Sequence, residues 1–216
     1  MTDIPAGTLE AAGVQEPWPS YAVQREGVSV GMWIFLMSEV LFFGGLFISY
    51  AVYRSFNAEA FRIAAAHTEI VYGAANTAIL VTSSLTMTVA LRAANLELRQ
   101  LTVVCLAATA LLGLAFLSLK GLEYHDDLRK SLFPGAGFPL SPPQTQLFWT
   151  MYWIMTGIHA VHLSAGIAIV LTVAFLFQKR AAPVRGSTIE GVSIYWHFVD
   201  CVWIVLFPLL YLVGRS

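Results

Sequence analysis

The chain has 216 residues, of which 57% are hydrophobic and only 12% charged, and its formal net charge is −1. A water-soluble domain carries about 25% charged residues. With a mean hydropathy of +0.70 there is too little polar side chain to cover a soluble globule, so the chain reads as an integral membrane protein. The near-neutral charge leaves no basic surface for nucleic acid.

Residues 1–27 are polar and punctuated by Pro and Gly, with Asp3, Glu10, Glu16 and Glu26 against one base, Arg25. They lack the basic start and short apolar region of a signal peptide. They are expected to form a flexible tail, with Trp18 and Tyr21 as its ordering residues, ahead of a membrane domain over 28–216. Insertion is then expected through the first apolar segment, 28–54. About 20 apolar residues at ~1.5 Å each cross a bilayer, and this segment qualifies. It carries one carboxylic acid, Glu39. A helix starting near residue 28 places Glu39 roughly 16 Å in, close to the centre of a ~30 Å hydrocarbon layer. A carboxylate there costs ~2.5 kcal/mol or more unless it is protonated or partnered. No basic residue near it in sequence supplies a partner. Glu39 is therefore a candidate functional residue, expected to face protein or water rather than lipid.

Four more apolar segments follow, at 65–91, 98–122, 146–177 and 191–213. All meet the length requirement, and the fourth exceeds it, which implies tilt or protrusion. None alternates as a barrel strand does, and lipid admits only helices or closed barrels. The expected fold is all-α, an integral membrane bundle of five transmembrane helices. Residues 92–98 are expected to be a tight turn, and 56–64 and 178–190 short polar links. The longest connector, 123–145, contains FPGAGFP (133–139) and SPP (141–143) and is expected to be an irregular ordered loop. No internal repeat is visible, which counts against an inverted-repeat transporter. Charge leaves the orientation open. Five spans put Arg25, Arg92, Arg99, Lys179, Arg180 and Arg185 on one face and Arg54, Arg62, Lys120, Arg129, Lys130 and Arg215 on the other. The count is a tie, and the shorter loops of the first face favour a cytoplasmic N-terminus.

Several polar residues lie inside the spans. In TGIHAVH (156–162), His159 and His162 are three apart and share a helix face. Gly157 and Gly166 nearby permit close helix approach. In YWHFVDCVW (195–203), His197 and Asp200 are also three apart and able to hydrogen-bond or pair. KGLEYH (120–125) places Glu123 near the end of the third segment. Two readings of the histidines stand: His159 or His162 with His197 as haem ligands from facing helices, or all three as hydrogen-bonded packing residues. Asp200 reads either as part of a proton path or as the neutraliser of His197. Asn76, Thr82, Ser83, Ser84 and Thr86 read as interhelical packing, at ~0.6 kcal/mol per bond. The tryptophans read as interface anchors, Pro208 as a kink, and Cys105 and Cys201 as small hydrophobes without metal-ligand spacing. No nucleophile triad, HExxH, P-loop or CxxC pattern is present, so no self-contained active site is expected.

The stretch GMWIFLMSEVLFF (31–43) resembles the first signature of subunit III of the haem-copper terminal oxidases, the cytochrome c oxidase type. ANTAIL (75–80), LGL (112–114) with Glu123-Tyr124, TGIHAVH and YWHFVDCVW resemble that family's later helices, in family order. The resemblance implies a non-catalytic subunit without its own metal or cofactor, the haem and copper lying in partner subunits. It implies a hetero-oligomer with the catalytic subunit I and with subunit II, bound phospholipid, and support of proton uptake and complex stability. Glu39 matches the family's intramembrane carboxylate, and Glu123, His159, His162, His197 and Asp200 match its polar positions. The implied location is the bacterial inner membrane, with the N-terminus cytoplasmic and the C-terminus periplasmic. The mitochondrial form has two further helices at its start, which wall a lipid cleft and are not among these five. The five-helix form also occurs in quinol oxidases and in a relative associated with nitric oxide reductase. A haem b membrane anchor and a proton-coupled transporter centred on Glu39 and Asp200 are the readings from other classes.

Overall fold

A computed structural model describes residues 21–179 and 186–212 of the chain. The tail up to residue 20, including Trp18, and the bases Arg180, Arg185 and Arg215 lie outside the described residues. Among the described residues six α-helices follow in order: α1 (Tyr21–Phe56), α2 (Ala58–Ala65), α3 (Ile70–Asn95), α4 (Arg99–Arg129), α5 (Thr145–Lys179) and α6 (Gly186–Phe207). A π-helical turn, Pro208–Leu212, completes the last span. Five of these elements are long and apolar enough to cross a membrane, and no strand occurs among the described residues. The protein is an all-α, multi-pass membrane bundle.

Two expected connectors are corrected. The polar link at 56–64 is largely the short helix α2. Its Ala60, Phe61, Ala64 and Ala65 are buried, while Glu59 and Arg62 pair outward at 2.8 Å. Phe61 is the anchor, its ring 5.4 Å from Tyr50 and 5.6 Å from Phe148. The irregular loop begins later than 123, because α4 runs on to Arg129. Glu123 and Asp127, at i and i+4, find partners inside the bundle and keep the helix going.

Helices α3 and α4 form an antiparallel hairpin. Helix α3 also packs on α6, α4 on α5, and α5 on α6. Helix α1 stands at the edge against α2, α5 and α6; 11% of its apolar window is buried, against 50% for the last span. Lipid tails are as apolar as leucine, so helices associate in a membrane through close packing and interhelical hydrogen bonds. Trp196 shows both. Its six-membered ring fills the space over Gly113 and Gly166, where an added Cβ would stand 3.0 and 3.3 Å from it, and its indole N–H donates to Ser83 Oγ at 3.1 Å. Gly166 thus has the role expected for it. Gly157 does not: a Cβ there meets nothing within 4 Å. The interface-anchor reading of the tryptophans is likewise corrected for Trp149, Trp196 and Trp203, which are fully buried.

Candidate functional site

Among the described residues three polar clusters interrupt the apolar bundle. The first lies at the end of α4. Lys120 Nζ donates to Glu123 Oε2 at 3.0 Å, to Tyr152 Oη at 2.9 Å and to Tyr211 Oη at 2.6 Å. These use all three of its donors. Tyr211 in turn donates to Glu123 Oε1 at 2.7 Å. Tyr152 Oη stands 2.8 Å from Glu123 Oε1 and 3.0 Å from Asp127 Oδ2 with one proton to give, so two carboxyls compete for it. The ammonium also sits 4.5 Å from the Tyr152 ring centroid and 5.3 Å from that of Tyr211, an aromatic cage suited to a cation. Lys120 and Glu123 are 2% and 1% exposed, so Lys120 lies inside the bundle rather than among the loop bases as expected. Tyr211 arrives through the π-helical turn after Pro208. That residue has no N–H to continue the α ladder. Its effect therefore exceeds the expected kink: it sets Tyr211 in the cage and leaves Leu209 O to accept from Tyr50 at 2.6 Å.

The second cluster gives Glu39 its partner. His162 Nε2 lies 3.0 Å from Glu39 Oε2, and its Nδ1 lies 2.9 Å from the Ile158 carbonyl. A carbonyl only accepts, so Nδ1 carries a proton. The Nε2–Oε2 contact then holds one further proton, on the carboxyl or on the imidazole, and the pair is net neutral in either form. That is how an acid is tolerated at this depth. The rings of Phe43 and Phe42, 5.2 and 6.5 Å from the imidazole, screen it.

The third cluster lies between α3 and α6. Ser84 Oγ is 2.7 Å from His197 Nδ1, and Thr88 Oγ1 is 3.4 Å from Nε2. The expected bond between His197 and Asp200 is not made, and neither Asp200 oxygen has a hydrogen-bond partner. His159 is buried between Phe116 and Trp203, ring centroids 5.6 and 5.2 Å away, with both nitrogens unbonded. His159 and His162 share a helix turn but not a partner, and neither joins His197. Among the described residues no three His, Cys, Asp or Glu side chains converge as a metal site. The haem-anchor arrangement is not what the three histidines form.

Sequence reasoning placed Glu123 but missed its cage. Lys120, Glu123 and Asp127 recur at i, i+3 and i+7, one face at the end of an apolar run, and that was the available signal. Tyr152 and Tyr211 gave none, since any helix carries tyrosines.

Five spans enclosing a buried, paired charge cluster define a polytopic membrane bundle. The sequence matches the family described as cytochrome c oxidase subunit III over residues 17–215. Cytochrome c oxidase subunit 3 of Thermostichus vulcanus is 33% identical over 97% of this chain and 98% of its own length. Cytochrome bo(3) ubiquinol oxidase subunit 3 of Pseudomonas aeruginosa is 30% identical over 85% of this chain and 84% of its own. A haem-copper oxidase subunit I+III of Aeropyrum pernix is 30% identical over 94% of this chain, which spans 24% of that longer protein. The chain belongs to the cytochrome c oxidase subunit III family, as a subunit III of the haem-copper oxidases, whose members include cytochrome c and quinol types.

Proposed function

We propose that this chain is the non-catalytic subunit III of a bacterial proton-pumping haem-copper oxidase that oxidises cytochrome c and reduces oxygen to water. It docks on subunit I, in a complex that includes subunit II, and supports stability and proton uptake by subunit I. Haem and copper belong to the partners, and phospholipid binds at the bundle's edge. The observation that carries the docking is the Aeropyrum pernix relative, named for subunits I and III in one polypeptide. The cytochrome c reading is favoured by the Thermostichus vulcanus relative, matched over nearly its whole length. The Pseudomonas aeruginosa relative favours a quinol donor as the second reading. The proton-uptake role is supported by the Glu39–His162 pair, which holds a shareable proton on the edge helix α1. The location is the inner membrane with a cytoplasmic N-terminus, as the family resemblance implies.

The test is purification of the tagged chain in mild detergent, with reduced-minus-oxidised spectra before and after the chain is stripped free. Haem and copper present only in the complex are expected. Haem retained by the stripped chain, or its absence from both samples, overturns the reading. Glu39→Gln is expected to co-purify with undiminished haem, since glutamine still donates to His162, while activity under turnover declines faster.

A further inference from the structure

Between α3 and α6 lies a groove of ≈ 510 Å³. Its rims are apolar, with Val81, Leu85 and Ile204 each more than half exposed. In its wall sits Asp200, 4% exposed, with both carboxyl oxygens unpaired. The neighbouring hydroxyls are committed elsewhere. Thr77 donates to Gly73 O and accepts from Trp203 Nε1, Thr88 donates to Ser84 O, and Ser84 is joined to His197 Nδ1. Beyond the electrostatic pull of Ser84, neither Asp200 oxygen finds a donor at hydrogen-bond distance in the chain, a costly arrangement in hydrocarbon.

Depth narrows what completes it. Asp200 is midway along the span Thr188–Leu212, so about 18 Å at ~1.5 Å per residue separates it from either end. Phospholipid headgroups do not reach that level, and acyl chains carry no donor. A second transmembrane helix does reach it, and the exposed Ala74 and Ala78 of α3 allow its backbone close.

We propose that the α3–α6 groove is the docking site of a transmembrane helix from a partner subunit, which packs on Val81, Leu85 and Ile204 and donates a side-chain N–H or O–H to Asp200. The inference rests on the reading of the chain as a subunit of an oxidase complex.

The test uses the whole oxidase in its native membrane. A benzophenone amino acid replaces Leu85, the membrane is irradiated, and haem and copper are measured in the purified complex. The expected product joins this chain to a subunit that co-purifies with haem and copper, at a helix carrying a donor side chain. Benzophenone attached only to lipid or to a small isoprenoid molecule, with haem and copper still co-purifying, overturns the docking inference alone. Loss of haem and copper from the unmodified preparation overturns the subunit reading instead. Asp200→Asn keeps an acceptor and is expected to hold wild-type haem per chain, whereas Asp200→Leu loses about fivefold to tenfold. Equal haem in Asp200→Leu and wild type removes Asp200 from the contact.

Discussion

Lys120 and Glu123 show how a charged pair is held inside a bundle whose surroundings offer little water. Neither charge is compensated by solvent. The compensation is their mutual ion pair, the hydrogen bonds Lys120 donates to two tyrosine hydroxyls, the one Tyr211 donates to Glu123, and the faces of the tyrosine rings. Removing one member of such a pair strands the other, at a cost of about 3–5 kcal/mol. Glu123→Ala is therefore expected to lower the thermal unfolding temperature of the purified complex sharply. The double variant Lys120→Met/Glu123→Leu, which strands no charge, is expected to cost less than the sum of its two single changes. An additive result in that cycle would show that the two side chains do not act as a pair. Tyr50→Phe removes a single neutral bond to Leu209 O and is expected to cost about 1 kcal/mol in the same assay.

At the scale of elements, glycine positions decide how close the helices come. A Cβ on Gly113 would stand 2.9 Å from Ile167 Cγ1 and 3.0 Å from the Trp196 ring, and one on Gly73 2.8 Å from Phe207. The first presses on Ile167 and the fully buried Trp196 ring, the second on the partly buried Phe207 ring. Gly113→Ala is expected to destabilise by about 1–3 kcal/mol through overpacking. Gly157→Ala, facing open space in a helix interior, is expected to be neutral or stabilising by up to about 1 kcal/mol. Unfolding temperatures of the two variants in one detergent compare them directly, and the reverse ranking would refute this packing of α4 on α5 and α6. The π-helical turn acts at the same scale, since it is what carries Tyr211 to Lys120.

For the molecule as a whole, the parts outside the spans are tied by ion pairs that titrate. Lys130, just past α4, donates to Glu69 before α3 at 2.8 Å, and that hydrogen bond holds its ammonium above the usual value of 10.5. The contribution is complete below pH 10.5 and is lost as pH rises through the higher folded value. Glu59 is the mirror case: its bond to Arg62 holds the carboxyl below its usual 4.5. That contribution is present above pH 4.5 and lost as pH falls through the lower folded value. Both pairs are well exposed, and for the half-exposed Lys130–Glu69 pair screening limits the effect to a few tenths of a kcal/mol. The stability difference between wild type and Lys130→Gln is expected to vanish at strongly alkaline pH. A difference that stays constant from neutral to alkaline pH would mean that the pair does not form in solution.

The sequence by itself determined the class of the molecule and the number of its spans. Lipid admits only helices or closed barrels, and long apolar runs that do not alternate satisfy their backbone there as helices. It also located the acid Glu39 and the polar positions Glu123, His159, His162, His197 and Asp200, because a polar residue in an apolar run stands out wherever it points. Pairing was decided only by the tertiary structure. His162 lies 123 residues beyond Glu39, and Tyr211 lies 91 beyond Lys120. Helical spacing relates only residues on the same helix. Nor does shared spacing make a bond: His197 and Asp200, three apart on one helix, do not bond, while Ser84 and Thr88 reach His197 from the facing helix α3. Which face of a helix meets which neighbour depends on the packing of glycines, rings and hydrogen bonds between helices, and those choices exist only once the bundle is assembled.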